Sequence, residues 1–309
     1  MQFNGLDLNL LVVLDALLAE RSITRAAERI HLSQSASSGA LGRLRDFFHD
    51  ELLVQVGHKM VLTPRAESLI DPVRHMLIQA QEIINKSPTF TPADSTRNFR
   101  LMMSDYVAAV VMPRALNRLQ LLAPGATVEL LSNADGSIQA LERGEVDFLI
   151  APRQHISEIH PCEDLFSDGY VCVVWSGNDQ VGNRISLDEY LSLGHVVARF
   201  GRQRTPAVDE WFFERFGHKR SIEVVAMSFN LLPQLIIGTT RVATMPESLA
   251  RQYAQHLPLR VVPTPMPIPK LTELIQWHAY RDSDSATIWL RQLLKEAAQE
   301  LRIAVNKCA

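Results

Sequence analysis

The segment DLNLLVVLDALLAE, Asp7 to Glu20, is apolar almost all the way round a helical wheel, which predicts a helix buried on more than one side. Beyond it, Ala26, Ala27, Ile30, Leu32, Ala36, Leu41 and Leu44 recur at helical spacing and predict the inner face of two short helices meeting at a tight corner. Ser22 and Ser33 stand where N-caps are wanted, since each hydroxyl can accept from an amide left unpaired in a first turn. After Phe48 the period changes, and ELLVQVGHKMVLTP reads as two short strands around Gly57, His58 and Lys59. Helix, helix, polar-tipped helix and hairpin is the order of a winged helix-turn-helix, expected over residues 1–63.

From Pro64 a second pattern begins. Ala66, Leu69, Val73, Met76, Ala80 and Ile83 lie alternately three and four residues apart, the spacing of a coiled-coil seam, so residues 64–87 are expected to form a dimerising linker helix kinked at Pro72. The run SPTFTPADST ends it as a hinge, residues 88–96. From Arg97 onward short β-rich runs alternate with amphipathic helices. Strands are predicted at Phe99 to Ser104, Thr127 to Leu131, Val146 to Ile150, Tyr170 to Trp175, His195 to Ala198, Ile222 to Ala226, Arg241 to Met245, Arg260 to Val262 and Leu274 to Ala279. Mostly parallel sheets follow from that alternation. The length of residues 97–309 suits two lobes, 97–163 with 268–309 and 164–267, with crossovers near Pro161 to Ser167 and Pro263 to Pro269. The fold class is α/β overall: an all-α-rich winged N-terminal domain, a long linker helix and a two-lobed α/β C-terminal domain.

Composition adds constraints without naming a partner. The 309 residues are 47% hydrophobic and 21% charged, enough to build two or three globular units. Net charge is −3, and residues 1–63 carry six basic residues (Arg21, Arg25, Arg29, Arg43, Arg45, Lys59) against seven acidic ones. A nucleic-acid role must therefore rest on where charges sit. Gln34, Ser35 and Ser38 fall on the outward face of the second helix at its N-terminal end, the end that enters a major groove. Gln pairs bidentately with adenine, and Ser with several base edges. Thr24, Ser33, His58 and Lys59 join the DNA-facing set, while Arg25, Arg29, Arg43 and Arg45 suit phosphates. Three scattered cysteines argue against a disulfide framework, and no apolar run approaches a membrane span, so a cytoplasmic protein is expected. His155, His160 and Cys162 match no zinc spacing, and GxSxG, P-loop and GxGxxG patterns are absent. The expectation is a non-enzyme with no metal and no cofactor.

The stretch from Leu6 to Glu67 resembles the winged helix-turn-helix of LysR-type transcriptional regulators, and within them the branch holding the nodulation regulators of rhizobia and the activators of aromatic-compound degradation. Ala26, Ala27, Ser33, Gln34, Ser38, Arg43 and Leu44 meet the family pattern. Ser35 stands where proline is usual and Ser37 where an apolar residue is usual, which loosens the helix start and weakens the inner face. The runs RNFRLMMSDYV, ALERGEVDFLIAP, LGHVVARFG, RVATMPESLA and WHAYRDSDSATIWLRQLL resemble the effector domains of the same branch, so the likeness spans essentially the whole chain. It implies two lobes like those of periplasmic binding proteins with a small aromatic inducer between them. It implies also a homodimer through the linker helix, a homotetramer on double-stranded DNA, and contact with RNA polymerase in an activator of a catabolic or symbiosis-type operon. By position Ser104, Asp105, His195, Phe200, Ser228, Phe229, Asn230 and Met245 are expected to line the cleft, whose helix N-termini suit a carboxylate or phenolate. The basic loop Gly201 to Arg204 reads as solvated or as an anchor for an anionic inducer. Two other readings are a solute-binding protein or sensor without a DNA role, and an enzyme with an accessory domain.

Overall fold

The structure is a computed structural model that describes residues 2–3, 6–57, 59–85, 90–133, 136–201 and 203–307. It divides into two compact units, Met1–Ser87 and Pro88–Ala309. Among the described residues no helix is long and apolar enough to cross a membrane.

In the first unit a short antiparallel pair, β1 (Gln2–Phe3) and β2 (Leu6–Asp7), precedes α1 (Leu10–Glu20), which α2 (Ile23–Arg29) and α3 (Gln34–Phe48) enclose. Only Val12 of the aliphatic residues of α1 is exposed, as its all-round apolar pattern requires. Ala26 and Ala27 are buried where α2 meets its neighbours, because a methyl group lets helix axes approach closely. The corner between α2 and α3 turns on His31, a non-glycine residue at φ 56°. The inner face of α3 runs Ser37, Ala40, Leu41, Leu44. Leu32 and Ala36, expected inside, are exposed. The corner breaks the helical phase, so the period of α2 does not carry into α3, and Ser37 takes the inner position.

The wing is an antiparallel hairpin of β3 (Leu53–Val56) and β4 (Lys59–Leu62), with Val56 opposite Lys59 across a two-residue connection in which Gly57 adopts φ 62°. Thr63 anchors it to α4 (Pro64–Asn85): its hydroxyl donates to Asp50 Oδ1 at 2.6 Å and accepts from the Ala66 amide at 3.1 Å. The helix runs on through Pro72. Its expected seam divides into two parts. Ala66 and Val73 are buried in the core built around α1, and Arg74 pairs with Asp15 at 3.5 Å, whereas Met76, Ala80 and Ile83 stay exposed.

The second unit contains two sheets. The first lobe is ordered β6-β5-β7-β15-β8, from β5 (Asn98–Met103), β6 (Thr127–Ser132), β7 (Phe148–Pro152), β8 (Cys162–Asp168) and β15 (Leu271–Gln276). Its helices are α5 (Asp105–Leu122), α6 (Ser137–Glu142) and α11 (Ser285–Lys307). The second lobe is ordered β11-β10-β13-β9-β14 with β12 against β10: β9 (Tyr170–Trp175), β10 (Gly194–Phe200), β11 (Thr205–Pro206), β12 (Ser221–Ala226), β13 (Val242–Pro246) and β14 (Leu259–Pro263). Its helices are α7 (Leu187–Ser192), α8 (Val208–Arg215), α9 (Leu232–Ile236) and α10 (Glu247–Ala254).

These sheets are mixed, not mostly parallel. β5 pairs parallel with β6 and β7, and β10 with β12 and β13, while β15 is antiparallel to β7 and β8, and β9 to β13 and β14. The cause is the double crossing. The chain leaves the first lobe through β8 into β9 and returns from β14 into β15, so each crossing strand runs against its returning partner. Strand β8 itself lay in a predicted crossover, because CEDLFSD lacks the apolar alternation of a strand. The first lobe consequently extends to Asp168, and only Gly169 separates its sheet from that of the second.

Candidate functional site

At the tip of α3 the Ser33 hydroxyl accepts from the Ala36 amide at 3.2 Å and lies 3.1 Å from the Ser35 hydroxyl. Gln34, Ser35, Ser38 and Arg43 form an exposed face beside Thr24 and Arg25 of α2. The arginines do not share one task. Arg43, like Lys59 on the wing, is exposed and makes no ion pair among the described residues. Arg25 donates to the Glu20 carbonyl at 2.5 Å but remains largely exposed, so its weak surface pairing leaves it free to turn outward. Arg29 instead lies between Asp15, at 3.8 Å, and Glu20, at 3.5 Å, and braces α2 against α1. Arg45 donates to the Glu51 and Leu53 carbonyls, both at 2.8 Å, with the Glu51 carboxylate 3.1 Å away. Expected as a phosphate contact, it pins the end of α3 to the wing. His58, also expected here, lies outside the described residues.

Between the lobes of the second unit lies a cavity of about 300 Å³. The N-termini of α5, α6 and α8 reach it at Ser104, Gly136 and Ala207. Its walls include Asn133, Ser137 and His155 from one lobe, Tyr170, Phe200 and Phe229 from the other, and Leu271 and Glu273 from the returning strand. Ser104, Phe200 and Phe229 are thus brought together as expected lining residues, the two rings 5.2 Å apart.

The other five expected lining residues lie elsewhere. His195 is fully buried, its Nε2 2.8 Å from the Tyr190 carbonyl and its ring edge-on to Tyr190, and burial holds its pKa down at about 4. Met245 is fully buried in the apolar core, and Ser228 precedes the short turn before α9 without capping it through its side chain and without lining the cavity. Asp105 and Asn230 bind each other across the lobes: Asp105 Oδ2 accepts from the Asn230 amide at 2.9 Å, and Asn230 Nδ2 donates to the Asp105 carbonyl at 3.1 Å. The Tyr253 hydroxyl donates to Asn230 Oδ1 at 3.1 Å. The period of a strand does not say which of its ends faces the cleft.

Glu273 and Tyr170 were not anticipated: Tyr170 opens a run that reads as plain buried strand, and Glu273 falls one residue before the strand expected from Leu274. No Lys or Arg lines the cavity among the described residues. Arg204 is not part of the wall, and Arg202 lies outside the described residues, so the described walls supply no basic anchor for an anion. Burial lowers the pKa of His155 and raises that of Tyr170, and both are uncharged at neutral pH. At the first crossing Asp168 is buried but well satisfied. Its Oδ2 accepts from the Tyr106 hydroxyl at 2.6 Å and the Ser248 amide at 3.1 Å, and its Oδ1 from the Gly169 amide at 2.9 Å. Among the described residues no group of three or more His, Cys, Asp or Glu side chains could hold a metal.

Comparison with known proteins covers both units. Residues 8–67 match the model of the bacterial regulatory helix-turn-helix protein, lysR family, and residues 93–299 that of the LysR substrate binding domain. A "Nodulation protein D" from Bradyrhizobium sp. (strain ANU 289) is 45% identical over 301 residues, 97% of this chain and 89% of that one. "Nodulation protein D 3" of Rhizobium meliloti (strain 1021) is 44% identical over 301 residues, 97% of this chain and 96% of that one. A crystal structure of a "probable transcriptional regulator" from Pseudomonas aeruginosa aligns with TM-score 0.65 and 31% identity, over 95% of this chain and 97% of that one. Full-length CbnR, solved in complex with its target DNA, shares the fold at TM-score 0.52 and 14% identity, over 95% of this chain and 100% of that one.

Proposed function

This chain belongs to the LysR family of DNA-binding transcriptional regulators, and on that footing we propose that it is a cytoplasmic activator of a catabolic or symbiosis-type operon, switched by a small aromatic inducer held between its lobes. The observation that carries the inducer reading is the cavity: about 300 Å³, walled by Phe200, Phe229 and Tyr170 and reached by three helix N-termini. Pockets of this size with a few convergent polar groups bind small molecules.

In this reading Gln34 and Ser38 read base edges, and Arg43, Lys59 and a reoriented Arg25 hold phosphates. One α3 covers few base pairs, so two copies are needed, and the exposed Met76, Ala80 and Ile83 of α4 supply the dimer seam. Two such dimers make the tetramer, and the inducer acts by favouring one arrangement of the lobes, which alters how the tetramer presents α3 to DNA and RNA polymerase.

Gel-shift titration of Gln34→Ala against a palindromic operator tests the DNA half. Affinity is expected to fall by about tenfold and selectivity between matched and mismatched operators to narrow. Unchanged affinity and selectivity would remove Gln34 from the base-reading role.

A further inference from the structure

Glu273 is a carboxylic acid in the buried strand β15, only 2% exposed, with no hydrogen-bond partner for Oε2 among the described residues, and it forms part of the cavity wall. A β-bulge falls at its position: Glu273 pairs with Phe166, but its neighbour Leu274 pairs with Asp164, so one residue of β8 is skipped. The unpaired residue, Leu165, belongs to β8, so the local bend falls in the outgoing strand that ends at Asp168.

The neighbouring acid shows which of the two holds the proton. Asp168, on the outgoing crossing, has three donors on its carboxylate, from Tyr106, Ser248 and Gly169. Glu273, on the returning crossing, has none of these. Two buried carboxyls with such unequal surroundings divide their roles, the hydrogen-bonded one carrying charge and the bare one carrying the proton. Burial, and then the Asp168 charge, push the Glu273 pKa up to about 8. The remaining titratable groups around it do not offset this. Tyr170 on β9 and Tyr106 on α5 are held neutral, His155 beyond β7 is neutral, and Asp209 on α8 is ion-paired with Arg220 at 2.8 Å.

We propose that Glu273 is the hydrogen-bonding anchor of the cleft: its protonated carboxyl donates to an acceptor oxygen of an uncharged aromatic ligand, and ligands bearing a carboxylate are refused. The proposal rests on the reading of the cavity as the inducer site and adds to it the charge of the ligand and the residue that selects it. It reverses the expectation of an anionic inducer drawn from helix N-termini. Those termini present amides to any oxygen acceptor, whereas a full negative charge there meets no described cation in the cavity wall. It also makes affinity depend on pH, because ionised Glu273 can no longer donate.

The test uses the full chain and two probes of one skeleton, 2-acetonaphthone, uncharged with a carbonyl acceptor, and 2-naphthoate, its anionic counterpart, titrated by calorimetry. At neutral pH the ketone is expected to bind at least about tenfold tighter than the carboxylate. Its affinity should be flat below neutrality and fall by about tenfold at about pH 9, one unit above the Glu273 pKa. Glu273→Gln, which keeps a donor but cannot ionise, should bind the ketone with no such decline, and Glu273→Leu should bind it at least about fivefold more weakly at neutral pH. Ser104→Phe, which fills the cavity, should bind neither probe. Equal affinity for the two probes, or wild-type affinity in Glu273→Leu, would overturn the anchor while leaving the cleft as an aromatic site. Binding of neither probe to the wild type, or binding undiminished by Ser104→Phe, would overturn the reading of the cleft itself.

Discussion

Replacing Glu273 by Gln should change how the stability of the C-terminal unit depends on pH, with no ligand involved. In the unfolded chain this glutamate titrates at its ordinary value of 4.5, whereas burial and the nearby Asp168 charge push it up to about 8 in the fold. A folded state that keeps a proton the unfolded state has lost is penalised as pH rises. Stability therefore has its full value below about pH 4.5, declines between there and about pH 8, and is level above. At 1.36 kcal/mol per unit the decline amounts to roughly 5 kcal/mol across that window, and to roughly 3 kcal/mol by neutrality. Glutamine has nearly the same shape and still leaves polar atoms unpaired, at a constant cost of about 1–3 kcal/mol that does not vary with pH. The stability of the variant minus that of wild type should thus rise by roughly 3–4 kcal/mol from about pH 5 to about pH 8. For a unit of this size that is a shift of on the order of 10 °C in the difference between the two melting temperatures. Scanning calorimetry across that pH range, following the transition of the larger unit, reads it directly. The other titrating groups are shared by both proteins and cancel in the difference. Parallel pH profiles for wild type and Glu273→Gln would refute the protonated state of this carboxyl.

Arg43→Ala and Arg45→Ala should separate two kinds of arginine. The first is expected to lower the slope of log affinity against log salt by about one while leaving the melting temperature unchanged, and the second to lower the melting temperature and leave the slope alone, as salt-dependent gel shifts and thermal melts will tell. Ser37 carries a fully buried hydroxyl that finds no partner among the described residues, so Ser37→Ala should stabilise the first unit by about 1 kcal/mol in urea denaturation. Loss of stability there would mean that the hydroxyl has a partner. A reporter assay on Ser104→Phe should show no inducer response while operator binding persists, and a wild-type response would count against the cleft.

Much of this was legible because local rules act on local neighbours. The hydroxyls of Ser22 and Ser33 cap the helices that follow them, with the Arg25 amide at 3.4 Å and the Ala36 amide at 3.2 Å. The apolar girdle of α1 marked it as the centre of the first unit, and the wing followed from a change of period around Gly57. What misled were positions where a periodic pattern crosses a break or a boundary. Leu32 and Ala36 continued the phase of α2 past the corner at His31. Ala66 and Val73 shared a seam with Met76, Ala80 and Ile83, yet the first two serve the domain core. A heptad-like stripe records which residues are apolar, not whether they meet their own chain or a second one.

The cleft shows the same division more sharply. The sequence by itself determined that strands alternate with helices from Arg97 onward and that Phe200 and Phe229 follow or flank strand ends, because hydrophobic period is a property of a few adjacent residues. Only the tertiary structure decided that Ser104, Tyr170, Phe200, Phe229 and Glu273 face one cavity, that His195 and Met245 do not, and that Asp105 clasps Asn230 across 125 positions of sequence. It alone set Glu273 beside Asp168, on the two strands by which the chain leaves the first lobe and returns. The physical reason is that a carboxyl's charge depends on its burial and on the donors within reach, and those are fixed by crossings between residues about a hundred positions apart, which no local pattern records.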